Sequence, residues 1–475
     1  MERKNAWKKY SDDERTNVFE FAEGYRQFIT KCKTERECTK EFVKKAEENG
    51  FKELGELIQN GKKLKAGDRV YAENMGKAMA LFIVGSKPIE EGMNILGAHI
   101  DSPRLDIKQN PLYEDSDIAY LDTHYYGGVK KYQWVTMPLA LHGVIIKKDL
   151  SCIEISIGEK DDEPVFCITD LLPHLAADQM EKKANKFING EDLNVLIGNM
   201  PKPEDGGKSV DGTLVEDEDK ATKDAVKNNI LAILKDQLGM DEEDFLSAEL
   251  EVVPAGPARD CGFDRSMIMG YGQDDRVCAY PSFMAMLDID VPENTSVCLL
   301  VDKEEIGSVG ATGMHSKFFE NCVAEMINLT NDYSELKVRR AMTNSMMLSS
   351  DVSAAFDPNF ASAFEKKNAA QFGRGLVFNK FTGARGKSGS NDANPEYIAL
   401  LRDVMDKNNV AFQTAELGKV DQGGGGTIAY ILANYGMKVI DSGVAVLSMH
   451  APWEITSKAD IFEAYKGYVA FLKDA

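Results

Sequence analysis

The stretch Ser296-Val-Cys-Leu-Leu-Val-Asp-Lys-Glu-Glu-Ile-Gly-Ser-Val-Gly310 joins an apolar run to two adjacent carboxylates. The run from Val297 to Val301 is typical of a buried strand, and Glu304 and Glu305 follow where that strand should emerge. Two neighbouring carboxylates repel each other unless a cation or a proton lies between them. The pair therefore suggests a metal site, although a solvated charged turn is the commoner setting for two consecutive glutamates.

Other segments place histidine or acid at equivalent points of the chain. His99, Asp351 and His450 each follow an apolar run that predicts a strand, and the pair Asp274 and Asp275 directly precedes a predicted helix. Because the carboxyl ends of strands line the binding crevice of an open α/β sheet, we expect these side chains to meet there. Histidine with several carboxylates and no cysteine suits zinc, cobalt or manganese. The carboxylates outnumber the ligands that one zinc ion needs, which favours two divalent ions sharing a bridging carboxylate.

The pattern of apolar residues divides the chain into two kinds of segment. Residues 1–106 and 256–475 alternate strand and helix patterns and predict one discontinuous α/β domain, with a central mixed sheet flanked by helices. Residues 107–255 predict an inserted β-rich domain, and their polar stretch near 201–224 predicts a mobile charged loop. The insertion carries few candidate catalytic groups, so we expect it to mediate contact between protein chains. Single elements follow from the same periodicity: a helix over 11–50, strands at 78–84, 93–100, 297–301, 345–350 and 444–449, and helices near 276–288, 394–407 and 427–435.

Composition narrows the class of protein. The chain has 475 residues and a hydrophobic fraction of 43%. Its net charge of −21 argues against a nucleic-acid partner. No stretch approaches the roughly 20 apolar residues of a membrane span, and the charged N-terminus lacks a signal core. These features predict a cytoplasmic globular protein without a membrane partner.

Five motifs, in order along the chain, resemble those of the aspartyl aminopeptidase and aminopeptidase I family of dinuclear zinc metallopeptidases. They are Gly97-Ala-His-Ile-Asp-Ser-Pro-Arg-Leu105, Gln273-Asp-Asp-Arg276, Asp302-Lys-Glu-Glu-Ile-Gly-Ser308, Ser349-Ser-Asp-Val-Ser353 and Ser448-Met-His-Ala-Pro452. Five ordered motifs are highly specific, whereas one alone would not be.

The resemblance implies a division of roles among these residues. His99 and Asp351 would bind one metal ion, Glu305 and His450 would bind the other, and Asp274 would bridge the two. The choice of Asp274 over Asp275 rests on the family pattern, since spacing alone does not decide it.

The resemblance also separates the two catalytic carboxylates from the ligands. Glu304 would be the general base that takes a proton from the attacking water and then gives it to the leaving amine. Asp101 would hydrogen-bond the far nitrogen of His99 and fix its tautomer.

Further residues are expected to contact substrate. His174 resembles a family histidine that reaches into a neighbouring subunit's active site; taken alone, it reads as a surface histidine. Gly425, Gly426 and Thr427 lie in a glycine-rich string that lacks the lysine of a phosphate-binding loop, so we expect them to approach a peptide instead.

Arg385 and Lys387 are candidates to bind the carboxylate of an acidic substrate. The residues around them depart from the aspartyl-specific pattern, and a solvated loop is an equal alternative.

These observations predict a metal-dependent aminopeptidase that removes N-terminal residues from peptides. Acidic N-terminal residues are the candidates for a preferred substrate. The resemblance implies a homo-oligomer, a tetrahedral dodecamer built from dimers. Two alternatives stay open: another dinuclear-metal amidohydrolase or deacylase, and a noncatalytic peptide-binding scaffold.

Overall fold

The chain forms two compact units. A computed structural model describes residues 4–201, 224–383 and 391–475. One unit comprises Met1–Ser102 with Ala258–Ala475, and the other comprises Pro103–Pro257. The predicted insertion at 107–255 lies within the second unit, whose limits extend a few residues beyond it at each end. Of the segment predicted to be mobile near 201–224, all but the two end residues fall outside the described residues.

The first unit is built on a nine-stranded mixed sheet with the strand order β1-β2-β3-β13-β4-β14-β18-β16-β17, numbered along the chain. The strands are β1 Lys52–Glu53, β2 Arg69–Asn74, β3 Ala78–Ile83, β4 Met93–His99, β13 Thr295–Val301, β14 Met346–Ser349, β16 Leu376–Asn379, β17 Phe412–Ala415 and β18 Lys438–Gly443. Four neighbouring strands in its centre, β13, β4, β14 and β18, are parallel.

Helices cover both faces of this sheet. They are α1 Asp12–Lys31, α2 Glu35–Glu48, α3 Leu54–Gln59, α6 Gln273–Leu287, α7 Phe318–Thr330, α8 Glu335–Asn344, α9 Pro395–Lys407, α10 Ala429–Ala433 and α11 Lys458–Asp474. Alternate residues of β4 enter different cores: Leu96 packs in a cluster with Phe283 of α6, and Ile95 packs in a cluster with Val323 of α7. A strand buried on both faces reads as a continuous apolar run, which is why β4 and β13 could be predicted from sequence.

The helix predicted over residues 11–50 is interrupted. α1 ends at Lys31, and α2 begins at Glu35 after an N-cap at Thr34. The Thr34 hydroxyl accepts a hydrogen bond from the backbone N–H of Glu37, whose carboxylate accepts one from the N–H of Thr34. This capping box satisfies backbone donors that a continuous helix would have used internally, so the chain turns at this point.

A second, five-stranded sheet belongs to the same unit and has the order β11-β12-β20-β19-β15. Its strands are β11 Arg259–Cys261, β12 Met267–Gly270, β15 Ser353–Ala354, β19 Ala445–Leu447 and β20 Glu454–Ser457. The strand predicted at 444–449 is therefore shorter than expected and lies in this sheet. The preceding strand, β18, pairs with β14 and β16 of the main sheet and ends at Gly443.

The second unit contains a six-stranded antiparallel sheet with the order β8-β7-β10-β5-β6-β9. Its strands are β5 Arg104–Asp115, β6 Ile118–Tyr126, β7 Leu139–Ile146, β8 Cys152–Ile157, β9 Val195–Gly198 and β10 Ala248–Pro254, and its helices are α4 Ala177–Met180 and α5 Ala225–Leu238. Strands β7 and β8 pair antiparallel, with Val144 opposite Glu154. No described helix is long and apolar enough to cross a membrane.

Candidate metal centre

Parallel strands bring the predicted residues to one edge of the main sheet. His99 is the last residue of β4 and stands opposite Val301, the last residue of β13. Glu304 and Glu305 follow β13 after two residues, in a short 3₁₀ turn that opens at Lys303 with φ +68°. The left-handed backbone at a non-glycine residue turns the chain sharply, so that both glutamates lie beside the end of β4.

Asp351 reaches the same edge through β14. Ser349, the last residue of that strand, stands opposite Gly97 of β4, and Asp351 follows it. The backbone carbonyl of Asp351 lies against Gly443, where an added Cβ would approach the carbonyl oxygen to 1.9 Å. Glycine at 443 is therefore required for the observed position of Asp351.

Asp274 lies between the two histidines. Its Oδ1 is 3.1 Å from His99 Nε2, and its Oδ2 is 3.2 Å from His450 Nε2. Asp274 carries a non-helical backbone at the start of α6, and the Ser102 hydroxyl donates to its carbonyl at 2.7 Å. Asp275 is fully buried but joins no group of potential ligand atoms among the described residues. The geometry thus distinguishes two acids that spacing left equivalent.

Three groups of side chains surround Asp274 and His99. Within each group, the potential ligand atoms lie within 4.8 Å of one another. The groups are His99 with Asp274 and Asp351, Asp274 with Glu305 and His450, and His99 with Glu304 and Glu305. The first two groups share Asp274 and otherwise have no member in common. Each therefore offers a separate binding position with one histidine and two carboxylates.

The two glutamates differ in exposure and in contacts. The Glu305 side chain is 3% exposed, its Oε1 lies 3.6 Å from His450 Nε2, and that oxygen has no hydrogen-bond partner among the described residues. The Glu304 side chain is 16% exposed, and its Oε2 lies 4.0 Å from His99 Nε2. The more buried glutamate is thus directed at the cluster, and the other is more accessible to solvent.

Asp101 ties these elements together. Its Oδ1 lies 3.2 Å from His99 Nδ1, and its two carboxylate oxygens accept the backbone N–H groups of Glu304 and Glu305, each at 3.2 Å. This fully buried carboxylate therefore fixes the orientation of the His99 ring and the path of the chain carrying both glutamates.

Crowding of buried acids shapes the electrostatics of the site. Burial, and then the neighbouring Asp274, raise the pKa of Glu305 well above its usual value. Burial, and then Glu304, do the same for the pKa of Asp351. Burial also acts to raise the pKa of Asp274, but hydrogen bonds with His450 and His99 outweigh it and hold that pKa below its usual value. Such a set of carboxylates is unfavourable by itself and is stabilised by divalent cations.

The donor set fits metal ions of the zinc, cobalt and manganese type. Imidazole nitrogens and carboxylate oxygens suit these ions, and the buried Oε1 of Glu305 accepts no hydrogen bond from the described residues. The described part of the chain contributes no cysteine to the three groups.

Comparison with known proteins agrees with this geometry. The family model described as aminopeptidase I zinc metalloprotease (M18) matches residues 28–472. The chain belongs to the M18 family of zinc aminopeptidases. It is a metal-dependent aminopeptidase with the mixed α/β fold of that family, as the sequence predicted.

Relatives extend over the whole chain. A probable M18 family aminopeptidase 1 from Clostridium acetobutylicum is 60% identical over 473 residues, which cover 100% of this chain and 98% of that protein. The crystal structure of an M18 aminopeptidase from Thermotoga maritima is 42% identical, has a TM-score of 0.91 and covers 100% of each chain. The structure of the mApe1 dodecamer from Saccharomyces cerevisiae is 19% identical, has a TM-score of 0.72 and covers 96% of this chain and 97% of that one, so it shares the fold.

His174, Gly425, Gly426 and Thr427 are not members of the three groups of potential ligands. His174 is exposed in a 3₁₀ turn of the second unit. Gly425 accepts a hydrogen bond from the N–H of Gly383 at 2.7 Å, and an added Cβ at Gly426 would meet no atom within 4 Å. The helix predicted from Thr427 begins at Ala429, whose N–H the Thr427 hydroxyl accepts. The open space at Gly426 leaves its glycine unexplained by packing within the chain.

Arg385 and Lys387 lie outside the described residues. Their predicted contact with an acidic substrate therefore stays a prediction.

Two buried acids near the site were not predicted. Glu454 is 1% exposed at the start of β20, and Asp441 is 1% exposed in β18. Burial is the main reason that the pKa of Asp441 is raised to about 7 and that of Glu454 to about 8. The acid that follows Val439 and Ile440 within a strand pattern is the sequence signal that would have marked Asp441, whereas Glu454 opens the strand Glu-Ile-Thr-Ser, which carries no such signal.

Proposed function

We propose that the chain is a dinuclear metalloaminopeptidase that hydrolyses the first peptide bond of short or unfolded peptides. Asp274 carries the proposal, because its two carboxylate oxygens each face a different histidine at 3.1 and 3.2 Å. A carboxylate placed in this way serves two ions as a bridge.

Each ion would be held by one of the two groups that share this bridge. His99 and Asp351 complete one position with Asp274, and Glu305 and His450 complete the other. Zinc is the family's metal, and cobalt or manganese suit the same donors. When bound, the ions would polarise the peptide carbonyl and lower the pKa of the attacking water.

Glu304 is the proposed general base. It is absent from both Asp274-containing groups, and its side chain is the more exposed of the glutamate pair. It would take one proton from the attacking water as the oxygen bonds to the carbonyl carbon. It would then deliver that proton to the leaving nitrogen as the peptide bond breaks.

Asp101 would position rather than react. Its contact with His99 Nδ1 directs the Nε2 atom at the cluster, and its hydrogen bonds to the backbone of the glutamate pair hold the base beside it. A group that fixes the reacting geometry in this way contributes through orientation.

Substrate contacts and assembly are also proposed. Gly425, Gly426 and Thr427 would bind the peptide backbone, and His174 would complete the site of a neighbouring subunit. Exposed leucines flank His174, with Leu171 at 52% and Leu175 at 68% exposure, which suits burial against a second copy. The proposed assembly is a homo-oligomer, a tetrahedral dodecamer built from dimers as the family resemblance implies; yeast mApe1, which shares the fold, forms a dodecamer. Light scattering coupled to size-exclusion chromatography tests this, and a monomer would contradict it.

A panel of aminoacyl substrates tests the function. The protein is stripped of metal, reconstituted with zinc, cobalt or manganese, and assayed on peptides that begin with Asp, Glu, Lys or Leu, each with an N-acetylated control. We expect release of the first residue from free peptides alone. Equal cleavage of the N-acetylated peptides would favour a deacylase or endopeptidase, and no cleavage with any loaded metal would favour a noncatalytic scaffold. A preference for Asp and Glu would support substrate binding by Arg385 or Lys387.

A further inference from the structure

Glu454 accepts hydrogen bonds from the backbone of two proposed ligands. Its Oε1 accepts the N–H of His450 at 2.7 Å, and its Oε2 accepts the N–H of Asp274 at 3.2 Å. The side chain is buried, with the residue 1% exposed. One carboxylate thus joins the chain segments of Asp274 and His450, which are 176 residues apart in sequence.

Regular secondary structure does not hold either of these ligands. His450 has φ +64° and follows Ser448 with φ +59°, both in the left-handed region that non-glycine residues adopt rarely. Asp274 has φ −79° and ψ 108°, which is not helical although it lies at the start of α6. The left-handed conformations of Ser448 and His450 persist only where surrounding contacts impose them.

Glu454 itself is held firmly. It begins β20, and its Cα stands opposite Gly270 of β12, four residues before Asp274. Among the described residues its carboxylate has no lysine or arginine as an ion-pair partner, and it accepts hydrogen bonds from the two backbone N–H groups. Burying a carboxyl group costs free energy, which argues that Glu454 is retained for its two backbone contacts beside the proposed centre.

We infer that Glu454 is a positioning residue that sets the separation of the bridging Asp274 and the ligand His450 through their backbone N–H groups. The inference rests on the proposed dinuclear function. Its consequence is specific: loss of one of the two hydrogen bonds should weaken metal binding chiefly at the position formed by Asp274, Glu305 and His450. Partners that orient metal ligands typically contribute 10- to 100-fold to metal affinity.

Glu454→Gln is the variant that tests this role. A glutamine offers one acceptor oxygen and an NH₂ group, so it can satisfy one backbone N–H but presents a donor to the other. Glu454→Asp keeps two acceptor oxygens on a side chain that is one methylene shorter, and it serves as the second variant if the glutamine protein does not fold.

Asp460→Asn provides a matched control. Asp460 is also fully buried, and its two oxygens accept the backbone N–H groups of Gly373 and Gly375 at 2.8 and 2.7 Å. Asp460 is not a member of any of the three groups of potential ligands at the proposed centre. The control therefore reproduces the loss of a buried carboxylate that binds two backbone donors, without contact to the proposed centre.

Stepwise zinc affinities of the three full-length variants and the wild type are measured against a competing chelator, together with the visible spectrum of the cobalt-loaded proteins. We expect Glu454→Gln to weaken one zinc step by about 10- to 100-fold and to alter the cobalt spectrum, with Glu454→Asp intermediate. Asp460→Asn should keep both affinities and the spectrum even where its thermal midpoint falls.

Wild-type affinities and wild-type spectrum in both Glu454 variants would overturn the positioning role, however much their stability changed. An equal loss of affinity in Asp460→Asn would also overturn it, because the effect would then be general destabilisation. Binding of fewer than two ions by the wild type would instead refute the dinuclear centre itself, so the two failures are distinguishable.

Discussion

Replacing Glu304 by glutamine should abolish proton transfer while leaving the metal centre intact. Glutamine has nearly the same shape, and the hydrogen bond that holds this residue to Asp101 comes from the backbone N–H, so the substitution preserves it. Both groups of potential ligands that share Asp274 exclude Glu304. We therefore expect each zinc affinity to stay within about threefold of the wild type, since no proposed ligand is lost.

The magnitude of the kinetic effect follows from the role of the base. General base catalysis typically contributes about 10²- to 10⁴-fold to a rate. At about 1.36 kcal/mol per tenfold change, this corresponds to about 2.7 to 5.4 kcal/mol of transition-state stabilisation. Because substrate binding does not require the proton transfer, the loss should fall on kcat with KM little changed.

The assay combines steady-state kinetics with metal analysis on the same preparations. Glu41→Gln is a matched control, because the Glu41 side chain is also 16% exposed but pairs with Lys31 on the helical surface. We expect the control to keep wild-type activity. A Glu304→Gln protein that retains two metal ions and works within tenfold of the wild-type rate would refute the assignment of the base.

Four further predictions concern the other members of the site. Glu305→Gln should lose one metal equivalent under dialysis that leaves the wild type loaded, since it removes charge from a buried proposed ligand oxygen that accepts no hydrogen bond from the described residues; full retention of both ions would contradict its role. Asp101→Asn should weaken metal binding about 10- to 100-fold by disturbing the His99 ring, as measured by chelator competition, and an unchanged affinity would argue against it. Gly443→Ala should lower metal affinity without touching a ligand side chain, because its Cβ would lie 1.9 Å from the carbonyl oxygen of Asp351, and crystallography of the variant should show that residue displaced. The thermal midpoint of metal-free protein should fall as pH rises from about 5 to 8, because folding raises the pKa of Asp351 and Glu305 and stability is lost as they ionise, so zinc should raise the midpoint more at the higher pH.

The sequence could predict the residues that follow directly after an apolar strand. His99 and the glutamate pair follow strands that are buried on both faces, and such strands can be recognised in a sequence as continuous apolar runs. Once β4 and β13 are parallel neighbours, their carboxyl ends must meet at one edge of the sheet. The inserted domain was predicted from a change in the sequence, from helix–strand alternation to alternating strands.

What the sequence did not provide depends on tertiary contacts. The strand before His450 belongs to the second sheet, and its pairing with β20 and β15 determines that. Which of Asp274 and Asp275 faces the histidines depends on a local backbone that departs from the helix around it. The role of Glu454 depends on two hydrogen bonds, one of them to a residue 180 positions away. The break between α1 and α2 differs from these, because the Thr34 and Glu37 capping box could have been read directly.

A crystal structure of the zinc-loaded protein, with anomalous difference density recorded at the zinc edge, tests the central claim most directly. We predict two peaks separated by the Asp274 carboxylate, one bound by His99 and Asp351 and the other by Glu305 and His450, with Glu304 bound to neither. A single peak, or direct coordination by Glu304 with Glu305 turned away, would contradict the division of roles within the glutamate pair.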